Sequence, residues 1–209
     1  MTADHERLMG RLALQIEMIA NRHGWDGPAG LYVLYDWHRG ETEAAYRHLM
    51  EHTGEVIRCG SYAARPLVRS ELLGSQPHHN LFRMAMNLVH SEHPSINLFL
   101  DATGQEGFLG MAFCVEAWAR TYPTQEARNA DGDVRFADMP GSIEQRNVWA
   151  VDTTGRDYYV ERRRGERAKL VEDFVGASGA VVESIRAITA RIAGQPVPEI
   201  VNTPVGWRG

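Results

Sequence analysis

The pattern of the chain centres on Gly107 to Gly165, a stretch that opens with its most apolar run, Gly107 to Trp118. Leu109, Met111, Phe113, Val115 and Ala117 share one parity; Gly110, Ala112 and Cys114, then Glu116 and Trp118, share the other. In a strand these two sets face opposite sides of the sheet. The bulky set suits a core, and the Gly/Ala/Cys set suits the close approach of a helix. Gln145–Asp152 and Arg156–Arg162 read as the next two strands, joined by Thr153-Thr-Gly155, where glycine takes positive φ without strain. Tyr158, Val160 and Arg162 share one face of the last strand, and Asp157, Tyr159 and Glu161 the other. Leu31–Tyr35 and Glu55–Ser61 make about five strands in all, with Arg65-Pro66 breaking the pattern after them.

Elsewhere the period lengthens to that of a helix. Leu8, Leu12, Ile16 and Ile19 form one stripe over residues 3–23, ended by Gly24. A shorter helix is expected over Glu41–His52. Ser75-Gln-Pro77 opens another, whose Leu81, Ala85, Leu88 and Phe82, Met86, Val89 make a wide apolar surface. Ser178 is the expected cap of a last helix carrying Val181, Ile185, Ile188 and Ile192, stopped by Gly194. The prediction is an α+β domain over residues 1–194, an antiparallel sheet of about five strands covered by three or more helices. Residues 195–209, with three prolines, form an extended tail.

Composition narrows the function classes. The chain has 209 residues, 44% hydrophobic and 23% charged, and these are globular values. No apolar run is long enough to cross a bilayer as a helix. The acidic, helical N-terminus does not read as a signal peptide. A net charge of −5 argues against general nucleic-acid binding. The two cysteines, Cys59 and Cys114, sit in apolar contexts and read as free thiols of a cytoplasmic protein. Lys169 is the single lysine among 22 basic residues. No fold requires that bias; GC-rich coding explains it.

Three stretches carry a resemblance: Gly24-Trp-Asp-Gly-Pro28 before Leu31, Phe113 to Glu116-Ala-Trp118, and Glu144-Gln-Arg146 through Asp152 to Tyr158 and Arg162. In these the chain is similar to a loose set of uncharacterised actinobacterial and actinobacteriophage proteins. The resemblance implies an α+β domain, and it brings no activity or catalytic residues with it.

The sharpest candidate for chemistry is His48-Leu-Met-Glu-His52, which matches the H-x-x-E-H motif. On a helix, His48 and His52 share a face and would hold one zinc, with Glu51 activating a water and Glu126 as third ligand. In this respect the segment resembles the pitrilysin-type peptidases, which are much larger and enclose substrate between several domains. The same residues also make an ordinary solvated helix face. His78, His79, His90 and His93 form a second cluster without a carboxylate or cysteine at metal-ligand spacing. Glu116, just past the small residues of its strand, is either a paired carboxylate or a catalytic acid. No phosphate-binding, dinucleotide or nucleophile-elbow motif occurs.

Arg162, Arg163 and Arg164 offer an acidic partner three guanidinium groups, or form a solvated strand edge. In the tail, Ile200, Val205 and Trp207 are too apolar for a solvating segment, and tryptophan in extended chain is a typical anchor. Trp207 is expected to be buried, in its own domain or against a neighbour. The expectation is therefore a non-enzymatic protein-binding or assembly factor, of phage or cellular origin, without a cofactor, that self-associates or meets a protein partner through its tail. The alternatives are a zinc hydrolase and a small-molecule pocket beside Glu116.

Overall fold

The computed structural model describes residues 3–38, 56–67, 73, 76–90, 107–119, 139–171 and 179–202. In chain order its elements are α1 (Ala3–Arg22), β1 (Gly30–Asp36), β2 (Ile57–Cys59), β3 (Tyr62–Pro66), α2 (Pro77–His90), β4 (Phe108–Ala119), β5 (Ile143–Asp152), β6 (Asp157–Arg163), β7 (Lys169–Val171) and α3 (Ala180–Ile192). The strands form one curled antiparallel sheet in the order β2-β3-β1-β4-β5-β6-β7. The α+β class holds, but among the described residues the strands number seven rather than about five. The two additional strands are β3 and β7. In β3, Pro66 is the last residue, where a missing N–H costs no ladder bond, and Leu67 N–H resumes the pairing with Leu31 C=O at 2.7 Å. In β7, the short segment Lys169–Val171, which begins where the charged run 162–169 ends, pairs with Tyr159–Glu161.

The two faces of the sheet bury different things. Met9, Leu12, Ala13 and Ile16 of α1 pack on the small residues Ala112 and Cys114 of β4, with Leu34, Val148, Ala150 and Val160 around them. The opposite face carries Met111, Phe113 and Val115 under α2 and α3, through Leu81, Ala85 and Leu88 of the first and Ile185, Ile188 and Ile192 of the second. The sheet is thus the middle of three layers. Strand alternation predicted this division except at Leu109. A bulge interrupts the β1–β4 register between Leu34 and Tyr35, so Leu109 joins the α1 side and Phe108 takes its place opposite. Gly110 makes the bulge feasible: its φ is +154°, and a Cβ there would lie 2.1 Å from Val151 O.

Candidate functional site

In the register of the sheet, Glu116, Arg146 and Arg162 lie in one row across β4, β5 and β6, on the α1 side. Two guanidinium groups directly opposite each other repel. The helix resolves this. Glu17 of α1, with no exposed surface, accepts hydrogen bonds from Arg162 Nε at 2.6 Å and Nη2 at 2.8 Å, and lies 3.4 Å from Arg146 Nη1. On the other side, Glu116 Oε1 accepts from Arg146 Nη2 at 2.5 Å and Nε at 3.1 Å. Hydrogen bonding to Glu17 raises the affinity of the Arg162 guanidinium for its proton, against the opposing effect of burial.

The turn after α1 closes over this row. Gly24 (φ +86°) ends the helix, and its C=O accepts from Arg146 Nη2. Asp26 N–H donates to Glu116 Oε2 at 2.7 Å, and the Arg146 guanidinium carbon stands 4.8 Å from the centre of the Trp25 ring. The stretch Gly24–Pro28 is therefore held by Arg146 and Glu116 together. Beside it, under the C-terminal end of α1, opens a cavity of about 380 Å³. Its walls include Ile19, Ala20, Pro28 and Ile57; Tyr32, Cys114, Glu116 and Arg146 bring polar side chains to it, with exposed His23 among its lining residues. That volume falls within the range of small-molecule sites, and so does the mixture of apolar wall and few polar groups.

Arg146 is 2% exposed and fully engaged. A guanidinium has five N–H donors. Here Nε and one Nη2 hydrogen serve Glu116, the other Nη2 hydrogen serves Gly24 C=O, and the two Nη1 hydrogens serve Glu17 and Asn21 Oδ1. Burial pushes the Cys114 thiol up to about 12, and the charge of Arg146 offsets this only in part. Burial likewise raises the Tyr32 phenol. At neutral pH both are uncharged. Asp26, Glu116 and Glu144 bring carboxylate oxygens within 4.8 Å of one another. Two of the three are already paired with arginines, Glu116 with Arg146 and Glu144 with Arg164.

Of the residues singled out by sequence, Glu116 is a paired carboxylate in a cavity wall. Arg162 is bound to Glu17, and Arg164 to Glu144, so two of the three consecutive arginines hold the domain's own acids. His48, Glu51, His52 and Glu126, the zinc set, lie outside the described residues, as do Val205 and Trp207. The start of the tail docks on its own domain. Ile200 packs against the α2/α3 core, and Glu183 accepts the N–H groups of Val201 and Asn202 at 3.0 and 2.8 Å. Glu183 also accepts from Gly179, the residue preceding α3, at 3.2 Å. The expected cap Ser178 lies outside the described residues. His78 sits edge-on to Phe113, with ring centroids 6.2 Å apart. Burial, then the charge of His79, lowers its pKa.

Glu17, Arg146 and Tyr32 were not singled out. The sequence carried a signal for the first two. Arg146 has the parity of Val148 and Ala150, the apolar face of β5, and Glu17 follows Ala13 by one helical turn on the buried side of α1. A second buried acid, Asp152, serves the turn that its position suggested. Its Oδ1 accepts the N–H groups of Thr154 at 2.8 Å and Arg156 at 3.1 Å, and its Oδ2 accepts the Tyr158 hydroxyl at 2.9 Å. His5 Nε2 lies 3.2 Å from Asp152 Oδ2, and His5 Nδ1 lies 2.8 Å from the Tyr62 hydroxyl. Both ring nitrogens are occupied in tying α1 to the sheet. No family model matches the chain, and neither a curated protein nor a solved structure does.

Proposed function

We propose that the chain is a non-enzymatic binding protein, and that the cavity under the end of α1 is its small-molecule site. The observation that carries this is the cavity itself, about 380 Å³ between α1, the 24–28 turn, β1 and β4, walled by apolar side chains with a buried ion pair among them. The lining favours binding over catalysis. The thiol and phenol are held neutral, which suits them poorly as nucleophiles, and Arg146 has no donor left to stabilise developing negative charge.

A library of small apolar molecules, screened by amide NMR shifts on the ¹⁵N-labelled chain, tests the reading. Hits should move the amides of Asp26, Tyr32, Val115 and Glu116 together. Ala20→Phe, which fills the cavity from the helix side, should abolish those shifts while the folded spectrum persists. Hits that cluster elsewhere, or that survive Ala20→Phe unchanged, would refute it.

A further inference from the structure

An arginine in a cavity wall ordinarily suggests an anionic ligand. Here the hydrogen-bond count points the other way, and this inference rests on the cavity being a ligand site. All five donors of Arg146 are spent within the protein, on Glu116 twice, Gly24, Glu17 and Asn21. Glu116 is different. It accepts three hydrogen bonds, two from Arg146 and one from Asp26 N–H, of the roughly four that a carboxylate can take. Its side chain is 14% exposed, and it lines the cavity. The polar capacity left open is therefore an acceptor. The Tyr32 hydroxyl both donates and accepts, so it does not discriminate. His23 is exposed, where water screens its influence.

We propose that the cavity takes a small apolar molecule bearing a hydrogen-bond-donor head, a primary amine or an alcohol, and rejects the corresponding carboxylate. The donor head completes the coordination of Glu116, and the hydrocarbon lies against Ile19, Ala20 and Ile57. A carboxylate placed there meets the negative Glu116 with no free guanidinium donor to offset it, and burying an unpaired charge is costly.

The test uses one hydrocarbon with three heads: hexylamine, 1-hexanol and hexanoate, titrated into the full chain at neutral pH and followed by amide shifts. Hexylamine and 1-hexanol should bind about tenfold or more tighter than hexanoate, shifting the Asp26 amide whose N–H shares Glu116. Ala20→Phe should remove binding of both. Hexanoate binding equally well or better would overturn the head-group inference while leaving the cavity reading intact. Failure of all three to shift the cavity amides would overturn both. Glu116→Gln supplies an independent arm: it should narrow the amine-to-hexanoate ratio, and an unchanged ratio in a folded variant would also count against the proposal.

Discussion

Glu17 shows how one side chain decides whether this sheet can exist in its register. Arg146 and Arg162 are cross-strand neighbours, and the acid that neutralises them comes from the helix above, fully buried. Removing one member of such a group leaves an uncompensated buried charge. Glu17→Gln is therefore expected to destabilise the fold by about 3–5 kcal/mol in urea denaturation. A cost no larger than that of an exposed ion pair, under about 1 kcal/mol, would mean that the two guanidinium groups find other partners. At this scale the sequence was only partly legible. Glu116 stands out because it follows a run of small residues. Arg146 shares the parity of Val148 and Ala150, but a basic residue near the start of a strand draws no attention until its buried partners on α1 and β4 are known.

Among the elements, the long periodic ones were legible and the short ones were not. α1, α2, α3 and the central strands follow from stripes of Leu, Ile and Val, because burying a whole face constrains many positions at once. β3 was hidden by Pro66, which sits harmlessly at its end, and β7 by its shortness and its place at the end of the charged run 162–169. The junction of α3 with the tail was equally hidden, because it depends on one carboxylate. Burial works against ionisation of Glu183, but hydrogen bonds from Asn202, Gly179 and Val201 outweigh it and hold its pKa below the ordinary value. Between the folded and unfolded pKa values the unfolded chain binds the proton more readily, so stability rises with pH there. The contribution is complete above the ordinary glutamate value and is lost as pH falls through the folded one. Urea midpoints measured from pH 6 downward should fall more steeply in the native chain than in Glu183→Gln. Parallel profiles would show that the contact does not report on folding.

At the level of the whole molecule, a sheet with α1 on one face and α2 and α3 on the other leaves space where α1 ends before the sheet does. The 24–28 turn, held by Arg146 and Glu116, borders that space instead of filling it. The small face of β4 predicted the helix contact, but the cavity beside it depends on where α1 stops relative to β1, a relation that no single stretch of sequence carries. The function proposed for the molecule turns on that cavity holding a ligand by its donor head. Crystals of the protein soaked in 1-hexanol test it most directly. The expected result is density between Ile19, Tyr32 and Val115, with the hydroxyl within hydrogen-bond distance of a Glu116 oxygen and Arg146 still bound to Glu116. Density at another surface alone, or a head group held by an Arg146 that has left Glu116, would contradict it.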